Sequence, residues 1–245
     1  MNTRWVTRLP WLTLLISAGS ACAKDVDSSL PILKIDPART AVVGLSSGAY
    51  MAGQAQLAYP ELFPNAALVA GGPYGCAGGQ LPVALGSCMK GEPAPDVGAL
   101  VASATKRSAA GEIGALKDLA HARVYLLHGK DDALVAPAVA EAGAHFYEQL
   151  RDGTPALKNM QVHDDGQRAF AHNLPVAGSG DDCDKSVAPY LGHCGFDAAG
   201  EIFAQMFGKP ARAATQARGE LRTFDQDALR PEGADAFMAG TGYVY

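Results

Sequence analysis

The run Ala41-Val42-Val43-Gly44-Leu45-Ser46-Ser47-Gly48-Ala49-Tyr50-Met51 decides how this chain is read. A short apolar strand breaks into Gly-x-Ser-x-Gly and passes at once into a helix-compatible segment. That is the sequence form of a nucleophile elbow, a strained strand-to-helix turn that exposes a serine hydroxyl. Ser46, the middle residue, is the candidate nucleophile, and Ser47 would offer its backbone N–H to an oxyanion. Gly44 and Gly48 are expected to flank the turn because a Cβ at either position would crowd the neighbouring strand or helix. The bland alternative is a Gly/Ser turn without chemistry, and in a chain with 28 glycines the pentapeptide alone does not exclude it.

Outward from the elbow, the periodicities alternate. Strands are expected at 40–45, 66–70 and 123–127, with a weaker one at 159–163. Helices are expected over 48–59, over 97–120 with an interruption near Gly111 and Gly114, from Pro137 to about Gly153, and over 197–207. The segment 80–95 shows no periodicity and reads as loop. Strands alternating with helices argue for an α/β fold, a mostly parallel sheet flanked by helices. Neither internal repeats nor low-complexity tracts interrupt it.

The N-terminus places Arg4 and Arg8 before the apolar run Trp11 to Ile16, followed by small residues ending Ala21-Cys22-Ala23. That order is a secretory signal peptide over residues 1–23 with cleavage after Ala23. A lipoprotein signal ending at Cys22 fits less well, because Gly19 stands where a large aliphatic is usual. The run is too short to remain as a membrane span. Cleavage removes two arginines and no acid, moving the formal net charge from −5 to −7. Basic stretches are absent, which argues against nucleic acid as partner.

Four cysteines remain after cleavage: Cys76, Cys88, Cys183 and Cys194. An even count in an exported chain points to two disulfides, and the local pairs Cys76–Cys88 and Cys183–Cys194 are favoured because each brackets a Gly/Pro-containing loop. No C-x-x-C or H-x-x-x-H spacing occurs, so no metal site is expected, and a serine esterase would need no cofactor.

A serine nucleophile needs a base, and the base needs an orienting acid. In sheets of this type both follow the serine in chain order, at the carboxyl ends of later strands. The strand 123–127 runs into His128-Gly129-Lys130-Asp131-Asp132-Ala133-Leu134-Val135, a His-Gly-x-x-Asp-x-x-Val pattern with the form of an acid loop. Asp132 is the candidate acid and Asp131 its alternative. For the base, His172 lies in the loop Ala169 to Pro175, whereas His163 would be held within the fourth strand's ladder; His172 is preferred. His193 reads as structural, and His121, His128 and His145 as surface or packing residues.

Several stretches together resemble one family, the extracellular poly(3-hydroxybutyrate) depolymerases with a circularly permuted α/β-hydrolase domain. The matching pieces are Gly44 to Ala52, Ala70 to Ala77, His128-Gly129 through Asp132, and His172-Asn173-Leu174-Pro175. Asp182 to Ser186, Pro189-Tyr190 and Cys194 to Asp197 match as well, as do Phe224-Asp225-Gln226 and Gly242 to Tyr245. The resemblance implies hydrolysis of polyhydroxyalkanoate esters by a Ser46, Asp132, His172 triad. In that family the strands that ordinarily precede the nucleophile come after the histidine, in a segment whose His-Gly-Cys turn looks like a second oxyanion donor. Here the chain stops at Tyr245 as that segment begins. The expectation is therefore a partial, circularly permuted α/β-hydrolase over 24–245, with strand 40–45 left as an apolar edge. Two rivals stand beside a secreted polyester hydrolase: a related carbohydrate (feruloyl or acetyl) esterase, and an inactive remnant acting at most as a binding module.

Overall fold

The computed structural model describes residues 34–209, 219–230 and 239–245. The expected signal peptide lies outside the described residues. Residues 34–209 belong to one compact unit, and the two shorter stretches to a second.

The first unit is built on strands β1 (Ala41–Leu45) and β2 (Asn65–Val69), separated by helix α1 (Ser47–Ala58). Helices α2 (Leu81–Leu85), α3 (Ser87–Lys90) and α4 (Val97–Ala109) follow, then strand β3 (Arg123–Gly129), helix α5 (Pro137–Gly153) and strand β4 (Gln161–Arg168). All four strands are parallel, in the order β1-β2-β3-β4. Three very short strands come next: β5 (Leu174–Val176), β6 (Asp181–Asp182) and β7 (Leu191–His193), which form a second parallel sheet in the order β5-β7-β6. Helix α6 (Ala198–Phe207) closes the unit.

The alternation of side chains along the buried strands sorts the core into two layers. Leu68, Val124 and Leu126 face α1, α4 and α5, where Leu57, Ala104, Phe146, Tyr147 and Leu150 complete one cluster. Ala67, Val69, Tyr125 and Leu127 face the other way, toward Phe170 and the α6 residues Ala198, Ile202 and Met206. The helices begin where the chemistry of their first turns allows. Pro137 opens α5, where its missing N–H costs nothing, and the Asp96 and Asp197 carboxylates cap α4 and α6 by accepting N–H bonds from Ala99 and Gly200.

Three expectations need correction. The stretch 80–95 is not all loop, since α2 and α3 occupy most of it; helices this short leave almost no periodicity to read. The predicted helix over 97–120 ends at Ala109. The fourth strand runs on to Arg168, because as a sheet edge it carries polar residues that hide a strand pattern. β1 pairs only with β2 among the described residues, and Val43 on it is 51% exposed. In the second unit, β8 (Arg222–Asp225) and β9 (Thr241–Val244) form an antiparallel hairpin.

Candidate active site

Parallel strands deliver the loops at their carboxyl ends to one side of a sheet, which is where α/β proteins bind ligands. β1 delivers Ser46 there. Its backbone sits at φ 58°, ψ −120°, a conformation that costs a non-glycine residue about 1–3 kcal/mol. Surrounding contacts enforce it: Ser46 N–H donates to the Val69 carbonyl, and the Ser46 carbonyl accepts from the N–H groups of Ala49 and Tyr50. Gly44 is obligatory, because a Cβ on it would lie 2.0 Å from the Gly48 carbonyl oxygen. Gly48 is not. A Cβ there meets nothing within 4 Å, so the expectation that both glycines relieve crowding holds for Gly44 alone. Ser47 is the first residue of α1, and its N–H lies ahead of the helical hydrogen-bond ladder.

β3 delivers Asp132, whose side chain is fully buried. Its Oδ1 accepts from Leu134 N–H at 2.8 Å and Val135 N–H at 2.9 Å, and its Oδ2 faces His172 Nδ1 at 2.7 Å. Burial pushes this carboxyl up, but the bonds from His172 and the two backbone N–H groups outweigh it, and the group lies below its ordinary value. A carboxylate only accepts, so Nδ1 carries the hydrogen, and in the neutral ring Nε2 is the nitrogen without one. Asp131, its neighbour and rival, is exposed.

His172 follows β4 in a loop tied to the second sheet. Its N–H donates to Ser186 Oγ, and the Asn173 side chain donates to the carbonyls of Cys183 and Lys185. The Tyr190 ring stands edge-on to the imidazole, centroids 6.2 Å apart. Among the described residues, Ala70, just after β2, and Tyr190, just before β7, are the other non-glycine residues with positive φ. His163 sits within β4, stacked on Tyr125 5.3 Å away, and His193 is exposed on β7. The disulfides are Cys76–Cys88 and Cys183–Cys194.

Ser46 Oγ makes no hydrogen bond among the described residues, and the bonds of a candidate catalytic site often close only when substrate arrives. What joins it to the acid loop is a shared cavity of about 590 Å³, lined by Ser46, Ser47 and Val135 and by α1 and α4. Tyr50, one turn into α1, donates its hydroxyl to the Cys88 carbonyl, and burial followed by the nearby Asp132 charge raises its pKa. Among the described residues no cluster of three or more His, Cys, Asp or Glu side chains could hold a metal ion.

No protein-family model matches the chain. A poly(3-hydroxybutyrate) depolymerase of Delftia acidovorans is 33% identical over 89% of the chain, and a polyhydroxybutyrate depolymerase of Talaromyces funiculosus is 31% identical over 97%. The solved structure of the PHB depolymerase from Penicillium funiculosum superposes on 88% of the chain with a TM-score of 0.70 at 28% identity. A serine-to-alanine variant of a PHB depolymerase complexed with an R3HB trimer does so with a TM-score of 0.71 at 26% identity. The chain belongs to the polyhydroxybutyrate depolymerase family. It spans 43% of the Delftia relative, 66% of the Talaromyces relative and 65% of each of the two solved depolymerase chains.

The structure also brings in residues that the sequence reading passed over. His128, read as surface or packing, is buried against Asp132, with Nε2 3.9 Å from Oδ2. Its place four residues before the acid was the available signal. Ser186 and Tyr50 carried no signal of their own beyond nearness to recognisable pieces of the depolymerase pattern.

Proposed function

We propose that this chain is an exported serine esterase that cleaves polyhydroxyalkanoate esters through an acyl-enzyme. One observation carries the reading: the buried Asp132–His172 pair, at 2.7 Å, sits on the sheet end that also holds Ser46 on its strained turn. Ser46 Oγ attacks the ester carbonyl while His172 Nε2 takes its proton and passes it to the departing alkoxide. Asp132 fixes the imidazole and stabilises its charged form. The Ser47 N–H donates to the tetrahedral oxyanion. Water then attacks the acyl-enzyme, with His172 again as base, and releases the acid.

The R3HB trimer complex of the family neighbour supports a polyester substrate, and the charged-apolar-small order of residues 1–23 together with two disulfides supports export. The test is hydrolysis of 3-hydroxybutyrate oligomers and polyester film measured beside feruloyl and acetyl sugar esters, with fluorophosphonate labelling of wild type and Ser46→Ala. Oligomer hydrolysis and label confined to the intact Ser46 are expected. Faster turnover of the sugar esters, or label retained in the variant, overturns the reading.

A further inference from the structure

The cavity beside Ser46 has two long walls. Along α1, Ser46 at its N-cap, Tyr50 and Gln54 stand at successive turns, and on α4, Leu100, Ser103 and Arg107 do the same. Arg107 is the single charged side chain among the residues that line it. Its Nη1 donates to the Tyr74 hydroxyl at 2.7 Å and its Nε to Glu112 Oε2 at 3.1 Å, while Nη2 has no partner among the described residues. Tyr74 is itself 4% exposed, and burial keeps its hydroxyl protonated and able to donate. A pocket with a nucleophile, apolar walls and one oriented guanidinium fits an elongated, ester-linked body that ends in a carboxylate.

We propose that Arg107, with the Tyr74 hydroxyl, binds the free carboxylate at the acid end of a hydroxyalkanoate oligomer. The proposal rests on the esterase reading above and adds which part of the substrate enters the pocket. In such an oligomer the acid end lies on the alcohol side of every ester bond. Attack by Ser46 Oγ forms the serine–acyl bond and breaks the acyl carbon–oxygen bond. The serine proton travels through His172 to the departing oxygen. The fragment on Arg107 therefore leaves as a free hydroxy acid, and the remainder of the chain stays on Ser46 until water releases it. Short acids would be trimmed from that end, and polymer with its acid ends masked would be attacked less well.

The experiment uses Ser46→Ala protein, which holds ligand without cleaving it, and titrates the 3-hydroxybutyrate trimer as free acid and as methyl ester by calorimetry at neutral pH. The acid is expected to bind about tenfold more tightly than the ester, and Arg107→Gln in the same background should bring the ratio to about one. Arg107→Lys should keep part of the preference, and Glu112→Gln, which removes a competing carboxylate, should enlarge it. Equal affinities, no measurable binding of either trimer, or a preference that survives Arg107→Gln overturns the proposal. The esterase reading is judged separately on wild type with p-nitrophenyl butyrate: an inactive wild type whose Ser46→Ala form still prefers the acid sinks that reading and leaves the carboxylate site standing.

Discussion

His128 Nε2 lies 3.9 Å from Asp132 Oδ2, and both side chains are sealed from solvent. Neither ring nitrogen has a hydrogen-bond partner among the described residues. Burial holds the imidazole below its ordinary pKa, against the pull of the Asp132 carboxylate, while His172 pushes in the same direction as burial. The unfolded chain therefore takes up a proton near pH 6.5 that the folded one refuses, and stability falls as pH drops through that value, by at most about 1.4 kcal/mol per pH unit. His128→Phe keeps the ring and removes the titration. Its denaturation midpoint should equal or exceed that of wild type at pH 7, and the gap should widen at pH 5. A gap that stays constant between the two pH values would show that the imidazole titrates alike in the folded and the unfolded chain.

Asp132→Asn tests the orienting acid. The amide keeps the volume but presents a donor where Nδ1–H now bonds, so kcat should fall about 10³–10⁴-fold with little change in KM. Because the carboxyl is held below its ordinary value, its stabilising bonds are complete above about pH 4 and fade only as pH falls toward the depressed value. Rate loss of less than tenfold would leave Asp131 as the better candidate.

The two glycines of the elbow should separate cleanly. Gly44→Ala drives a Cβ into the backbone of α1 and should cost about 3 kcal/mol or more, visible as a large drop in Tm or as insoluble protein. Gly48→Ala enters open space within a helix and should shift stability by no more than about 1 kcal/mol, in the stabilising direction. Equal costs would contradict the geometry of the turn.

The disulfides should also differ in effect. Cys183–Cys194 closes the segment that supplies Ser186 Oγ and the carbonyls of Cys183 and Lys185, all of which hold the His172 loop. Replacing both cysteines by serine should cost about 2–3 kcal/mol and lower kcat more than it raises KM. Replacing Cys76 and Cys88, which line the cavity, should instead act mainly on KM. Steady-state kinetics on the two double variants check this.

The parts that were legible in the sequence are those where one residue type has one job. Ser46 stood at the centre of a glycine-framed turn, and His172 could be preferred over His163 because a strand ladder holds side chains away from a loop-borne site. The pairing of Cys76 with Cys88 and Cys183 with Cys194 followed from short spacing. What stayed hidden depends on company. α2 and α3 are five and four residues long and leave no period to detect, while β4 is an edge whose polar run hides it. The β5-β7-β6 sheet joins pieces of two or three residues across intervening loops, and no local pattern foretells such pairing. His128 offered only its spacing, four residues before Asp132, and that alone does not tell a buried neighbour from a surface one.

The elbow fixes one reacting group more firmly than the other, and the difference concerns time. Ser46 is clasped between a strand and a helix by backbone bonds to Val69, Ala49 and Tyr50, with Gly44 locked against Gly48. Its amide and those of Ala49 and Tyr50, all hydrogen-bonded, should exchange with solvent only when β1 and the first turn of α1 open together. His172 rides a loop held by Ser186 Oγ, the Asn173 amide, the Asp132 carboxylate and two backbone bonds, from Ala171 to the Cys183 carbonyl and from Leu174 to the Tyr190 carbonyl, a set of separate contacts that can let go one at a time. In the proposed mechanism, slow excursions during turnover therefore belong to His172, and Ser46 waits in place for it.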